Sequence, residues 1–187
     1  MRPDFARGTR VAALLAGLAA VPWTAAAQPM DAAPASKIRA GMLLNFAKFV
    51  EWPAEAGPAN PLSICVIDDA AVAEALEESL RGRSSNGREL IVRRLKADGA
   101  VRECHVLYAS GLNRERATQL LDRVKEASVF TVSDFEGFAP MGGVVQFFMQ
   151  GNRMRFAINP AAAQRARLRV SAQVLSVGTI VKDAHAQ

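Results

Sequence analysis

Two adjacent aspartates are the residues of this chain whose placement most resembles that of a reactive site. Asp68 and Asp69 directly follow a short apolar run of strand type. A phosphoacceptor site built on such a pair also needs an aspartate that ends a later strand and a lysine that ends another. The corresponding segment ends here in Ala109 and Ser110, and no lysine follows Thr131–Asp134. Asp69 is therefore expected to cap the next helix.

The histidines and glycines do not complete a metal, nucleophile or phosphate site. His105 lies inside an apolar segment and His185 near the C-terminus, with no third ligand at a useful spacing. No glycine pattern of a nucleophile elbow is present. Gly142 and Gly143 precede a strand-type segment, whereas a phosphate loop leads into a helix. The sequence thus predicts no catalytic residue, no metal and no cofactor.

The first 27 residues have the features of an export signal. Three arginines precede Val11–Val21, an apolar run too short to span a bilayer, and Ala25–Ala27 forms a small-residue cleavage site. An uncleaved membrane anchor is the alternative. Cleavage near Ala27 removes three Arg and one Asp, so the formal charge falls from +5 to +3. This mild charge is expected to be spread along the mature chain, which argues against nucleic acid as a partner.

Cys65 and Cys104 are the two cysteines of the chain. In an exported protein an even pair more often forms a disulfide than a metal site or a catalytic thiol. A thiol oxidoreductase would normally need a close pair of cysteines. Closing the loop between them would stabilise the fold by roughly 4 kcal/mol in the chain-entropy model. Two buried free thiols are the alternative.

Alternating segments predict one α/β domain of three layers, with a mixed, mostly parallel sheet of about six strands and helices on both faces. Gly151 and Asn152 should turn a C-terminal antiparallel hairpin. The strand-type segments are Leu62–Ile67, Glu89–Leu95, Cys104–Ala109, Ser128–Val132, Val144–Met149 and Arg153–Ile158. Helices are expected from Ser36, as N-cap, to about Trp52, over Ala70–Arg81, around Ala117–Val124, from Asn159-Pro160, and around Ser171–Val181. Residues 28–36 would be a flexible leader, 37–182 the domain and 183–187 a tail.

The first of these helices concentrates aromatic residues. Phe46, Phe49 and Trp52 are separated by threes, a spacing that places side chains along one side of a helix, and Pro53 ends it. Phe46 and Phe49 are expected to anchor the core, because large apolar side chains are usually buried. The candidate partner-binding residues are Trp52, Glu51 and Lys48.

Taken in order, several segments resemble the YfiR-like periplasmic proteins. They are LLNFAKFVEWP, NGREL, CHVLYAS, VFTVSDFEGFAPMGG and MRFAIN, and the resemblance spans about Lys37 to Val181. The residues that match structural positions of the family are Asn45, Phe46, Phe49, Pro53, Gly143 and Asn159. The resemblance also implies a disulfide between Cys65 and Cys104. Leu44, where Tyr is common, and Gln173, where Lys is common, depart from the family pattern, and a second cysteine pair of some members is absent.

The resemblance implies a non-enzymatic periplasmic regulator that restrains an inner-membrane diguanylate cyclase by protein–protein binding, and so modulates cyclic di-GMP signalling and biofilm formation. It implies an OmpA-like outer-membrane lipoprotein as a sequestering partner, and a homodimer is a further expectation. The alternative is a small-molecule-binding periplasmic protein that feeds a membrane sensor. Open α/β sheets bind ligands at the carboxyl ends of their strands, where Asp68, Ser110 and Ser133 are expected.

Overall fold

A computed structural model describes residues 34–54, 61–81 and 89–184. The predicted export signal, residues 1–27, lies outside this part. The elements are α1 (Ala35–Phe49), β1 (Val50–Glu51), β2 (Leu62–Ile67), α2 (Ala70–Leu80), β3 (Leu90–Leu95), a 3₁₀ turn (Val101–Glu103), β4 (Val106–Ala109), α3 (Arg114–Arg123), β5 (Phe130–Ser133), β6 (Val145–Gln150), β7 (Arg153–Ile158), α4 (Pro160–Arg165), β8 (Arg169–Val170), α5 (Ala172–Val177) and β9 (Thr179–Ile180).

The main sheet has the strand order β3-β2-β4-β5-β6-β7-β9. Neighbouring strands are parallel except for the hairpin β6–β7, which is antiparallel as predicted. Seven strands are found where about six were expected. The helix expected over Ser171–Val181 ends at Val177, and Thr179–Ile180 adds a parallel strand beside β7. A Cβ on Gly178 would lie 2.5 Å from the ring of Phe156, so this close approach of β9 to β7 requires glycine.

The central strands β2 and β4 are buried on both faces, which explains their continuous apolar sequences. Ile64 and Val66 of β2 pack in a larger core beneath α1 and α2. Cys65 and Ile67 point to the other face, into a smaller core that includes Leu120 of α3. The mixed three-layer α/β fold is therefore confirmed.

Side chains of Asp69 and Asn159 fix two helix starts. The Asp69 carboxylate accepts a hydrogen bond from the Val72 amide at 3.0 Å, so its predicted role as a cap is confirmed. Asn159 caps α4 by accepting from the Ala162 amide at 3.1 Å. Its amide nitrogen also donates to the Ala139 carbonyl at 2.8 Å and to Asp183 at 2.7 Å. Asp183, assigned to the tail from the sequence, is thus hydrogen-bonded to the body of the domain.

The predicted boundaries of α1 were wrong at both ends. The helix begins at Ala35 after Pro34, so Ser36 lies within it and is not the N-cap. The helix ends at Phe49, because the backbone of β1 pairs antiparallel with β8 instead of continuing the helix. Trp52 also precedes a proline, a position that disfavours helical backbone. Trp52 therefore does not share a helix face with Phe46 and Phe49.

Candidate partner-binding surface

A two-stranded ribbon joins the end of α1 to the start of α5. In it Val50 lies opposite Val170, and Glu51 lies opposite Arg169. The Ser171 amide donates to the Phe49 carbonyl at 3.1 Å, which extends the pairing to the residue before α5. We call this ribbon, together with the residues that flank it in the chain, the ribbon surface; its residues are Lys48, Glu51, Trp52, Arg167, Arg169 and Ser171.

Trp52 is half-buried, and its ring packs edge-on against His105 with centroids 5.6 Å apart. His105 precedes β4, and its Nδ1 accepts a hydrogen bond from the Ser63 amide at 3.1 Å. Because Nδ1 acts as an acceptor here, the proton of the neutral ring lies on Nε2. These contacts place Trp52 at the end of the sheet where the parallel strands begin.

Two polar atoms of the ribbon surface are buried without a hydrogen bond to any described residue. They are the indole Nε1 of Trp52 and the hydroxyl of Ser171. Leaving a buried donor without an acceptor costs about 1–3 kcal/mol. The indole donates only, so a carbonyl or carboxylate oxygen is the group that would satisfy it.

The other two predicted partner-binding residues, Lys48 and Glu51, are both exposed. The Lys48 ammonium lies 5.1 Å from the centroid of the Phe49 ring, within the range of a cation–π contact. Glu51 faces Arg169 across the ribbon, yet neither forms an ion pair with a described residue. The structure thus leaves Lys48 and Glu51 exposed, whereas Trp52, the residue after Glu51, is half-buried.

An apolar groove of about 240 Å³ lies between α1 and α5, next to the ribbon surface. Phe49 connects the two, because it lines the groove and also lies beneath Lys48. At the rim, Val177 is 63% exposed. The remaining lining residues are Met42, Asn45, Phe46, Phe156, Gln173 and Val174. Sequence reasoning missed the groove; Gln173, noted as a departure from the family, was its one sequence indication.

The remaining family-motif residues have structural contacts. The Phe46 ring is buried among Phe130, Phe147 and Phe156, with centroid distances of 5.2, 6.2 and 5.2 Å. A Cβ on Gly143 would lie 2.3 Å from the ring of the fully buried Phe138. Pro53 is half-buried after the ribbon.

The structure contains the predicted disulfide between Cys65 and Cys104, with a Cα–Cα distance of 5.9 Å. Both residues are buried in the smaller core, beneath α3. Cys104 was expected to be the first residue of β4, but it precedes this strand by two residues. The 3₁₀ turn Val101–Glu103 immediately precedes Cys104. The His105 amide then donates a hydrogen bond to the Ser63 carbonyl, and regular pairing of β4 with β2 begins at Val106.

The polar residues at the carboxyl ends of the strands pair with other protein groups. Asp68 binds Arg116 at 2.6 Å, and Ser110 donates to Asp134 at 3.0 Å. The Tyr108 hydroxyl donates to Asp69 at 3.3 Å. Burial, with smaller contributions from nearby carboxylates, raises the pKa of Tyr108 above its ordinary value. Ser133 is buried and accepts from the Phe135 amide at 3.1 Å.

The described ranges contain neither a metal-binding cluster nor a membrane-spanning helix. Within 34–54, 61–81 and 89–184, no group of three or more His, Cys, Asp or Glu side chains could hold a metal ion. None of the helices in these ranges is both long and apolar enough to cross a membrane.

Comparison with solved structures gives distant likenesses. A conserved domain protein from Vibrio cholerae O1 biovar El Tor matches with a TM-score of 0.55 and 12% identity, over 80% of this chain and 60% of that one. The open, ligand-free structure of CD0873, a substrate-binding protein with adhesive properties from Clostridium difficile, matches with a TM-score of 0.48 and 11% identity. That match covers 76% of this chain and 58% of the other. The first match is evidence for the fold alone, and nothing is inferred from the second.

The chain thus spans about 60% of the length of these structures. No curated protein matches it. A family match, in contrast, covers residues 36–179, nearly the whole described domain. The chain belongs to the YfiR/HmsC-like family.

Proposed function

We propose that this protein is a periplasmic regulator that restrains an inner-membrane diguanylate cyclase by binding the cyclase's periplasmic part, without catalysing a reaction itself. The observation that carries the proposal is the family match over residues 36–179. The ribbon surface and the adjoining groove are the docking region in this proposal, because exposed Lys48 lies over Phe49, which lines the apolar groove. By binding, the regulator would lower cyclic di-GMP and biofilm formation.

Such control needs only a difference in affinity. A regulator that binds the restrained cyclase more tightly than the active one shifts the population toward the restrained state. Couplings of about 1–3 kcal/mol, or 5–150-fold in affinity, are typical of such switches. A second protein that binds the regulator, such as an OmpA-like lipoprotein of the outer membrane, would reverse the restraint by mass action.

Gene deletion with complementation tests the proposal. In a strain whose partner cyclase is intact, we expect deletion to raise cyclic di-GMP and the wild-type gene to restore it. Trp52→Ala should fail to restore it although the purified variant folds, because it removes the aromatic contact of the ribbon surface. Met149→Ala is the control, since Met149 is a large apolar residue that is exposed on the β6–β7 hairpin, away from the ribbon surface.

Unchanged cyclic di-GMP in the deletion strain would contradict the proposed function. Full complementation by folded Trp52→Ala would contradict only the docking role of Trp52. Trp52→Phe separates the two properties of this residue, because it keeps an aromatic ring against His105 and removes the indole N–H. Partial complementation by this variant would indicate that the N–H contributes to docking.

A further inference from the structure

The described arginines differ in their partners: some form ion pairs with carboxylates, and Arg102 and Arg123 bind backbone carbonyls. Arg39, Arg93, Arg94 and Arg116 each form an ion pair with a carboxylate. In the C-terminal part, Arg165 is paired with Asp183. The remaining C-terminal arginines are Arg153, Arg155, Arg167 and Arg169, and none of them makes a side-chain hydrogen bond or an ion pair with a described residue.

The charge distribution explains why C-terminal arginines lack ion pairs and corrects the expectation of an evenly spread charge. Residues 141–187 contain six Lys and Arg against one acidic residue, a formal charge of +5. Residues 28–140 contain fourteen against sixteen, a charge of −2, so the two parts add up to the +3 of the mature chain. The C-terminal arginines therefore have almost no nearby acid in sequence with which to pair.

The four unpaired arginines lie at opposite ends of the sheet. Arg153 and Arg155 are on β7 directly after the hairpin turn, beyond the point where β5 stops pairing with β6. Arg169 is on β8 opposite Glu51, and Arg167 precedes it by two residues. With Lys48, the described residues of the ribbon surface include three cations and one carboxylate, at the end of the sheet marked by Trp52 and His105.

We propose that the ribbon surface receives an acidic protein segment, with Asp or Glu side chains set against Lys48, Arg167 and Arg169. This inference rests on the proposed function and names the chemistry of the partner's docking segment. An acidic segment supplies carboxylates to cations that form no ion pair with a described residue. The neighbouring groove of about 240 Å³ is lined mainly by apolar side chains and accommodates an apolar residue of the same segment.

An acidic protein fits this surface better than an anionic membrane does. Clusters that hold a protein on an anionic lipid surface contain about 4–8 Lys and Arg, whereas three surround the ribbon surface. Exposed charges of this kind act chiefly on the rate of association and on the choice of partner. At physiological ionic strength they act over about 8 Å, so their contribution should fall with added salt.

The test compares two variants with the same change of charge. Arg167→Glu/Arg169→Glu alters the ribbon surface, and Arg153→Glu/Arg155→Glu alters the hairpin at the other end of the sheet. Both pairs are exposed arginines without partners among the described residues. Each purified mature variant is titrated against the purified periplasmic domain of the cyclase whose output responds to gene deletion, at low and at physiological salt.

We expect the ribbon variant to weaken binding about tenfold or more, mainly through slower association, and to lose most of the salt dependence of the wild type. The hairpin variant should bind within about twofold of the wild type. The milder Arg167→Gln/Arg169→Gln should lose less affinity in the same direction, which guards against misfolding of the charge-reversed protein. Wild-type affinity of the ribbon variant, or an equal loss in the hairpin variant, would overturn the inference.

Two further outcomes have distinct meanings. If the wild-type protein does not bind the cyclase domain at all, the proposed function itself is contradicted. Vesicles that contain phosphatidylglycerol test the lipid alternative directly. If the wild type binds these vesicles, and the ribbon variant loses vesicle binding while it keeps its affinity for the cyclase, the cations serve a membrane and the acidic-segment inference is wrong.

Discussion

The ionisation of Tyr108 offers a direct test of side-chain burial in this structure. Tyr108 is the one tyrosine of the chain, so the phenolate signal comes from this residue alone. Its side chain is 0% exposed, and its hydroxyl lies 3.3 Å from Asp69 and 3.5 Å from Asp134. Burial disfavours the phenolate, and the negative charges of Asp134 and Asp69 disfavour it further, so the pKa of Tyr108 is raised in the folded protein.

The sign of the resulting pH dependence follows from this shift. An unfolded tyrosine ionises near pH 10, below the pKa of Tyr108 in the folded protein. The contribution of Tyr108 to stability is therefore fully present below about pH 10 and is lost as pH rises from there toward the folded value. Between about pH 10 and pH 11 this loss should lower the free energy of unfolding by about 1 kcal/mol.

Phenolate absorbance gives the assay, since a single residue contributes. In denaturant the phenolate should form with a midpoint near pH 10, whereas in the folded protein it should form only at higher pH or together with unfolding. Urea unfolding of Tyr108→Phe should show a smaller loss of stability in alkali than the wild type. A reversible phenolate midpoint near pH 10 in the folded protein would refute the burial argument.

The further predictions concern stability. Gly143→Ala should destabilise the domain by about 1–3 kcal/mol, because its methyl would overlap the buried ring of Phe138. Gly41→Ala should instead stabilise helix α1 by about 0.5–1 kcal/mol, because its methyl meets no atom within 4 Å. Urea unfolding measures both, and equal stability of the two variants would contradict the packing described. Replacing Cys65 and Cys104 together by Ala should lower the free energy of unfolding by about 4 kcal/mol, because the disulfide closes a loop between residues 39 positions apart. A loss below about 1 kcal/mol in the same assay would contradict this prediction.

Local chemistry allowed much of the fold to be predicted from the sequence. Gly151 turns the hairpin and Asn159 caps α4, because a two-residue turn and an N-cap depend on side chains within a few positions. The α/β class followed from the alternation of apolar strands and amphipathic helices. The disulfide followed from an even cysteine pair together with the expected export of the chain.

The candidate site was predicted less completely because it depends on contacts between distant parts of the chain. The ribbon pairs Val50 with Val170, and nothing in either two-residue segment indicates this partner. Trp52 could be singled out as an aromatic residue at the end of the predicted helix. Its contact with His105, a residue 53 positions away, could not be predicted from the sequence. Arg169 stands out only when Arg93 and Arg116, which form ion pairs, are compared with it, since Arg169 has no ion pair with a described residue.

The activity of the cyclase in the presence of this protein tests the central claim most directly. The full-length cyclase identified by gene deletion is placed in lipid nanodiscs, and its conversion of GTP to cyclic di-GMP is followed while residues 28–187, the expected mature protein, are added. We predict a saturable fall in rate of up to about 150-fold, the upper end of typical regulatory couplings, with Trp52→Ala requiring higher concentrations. An unchanged rate at concentrations that saturate binding would contradict the claim that this protein restrains the cyclase.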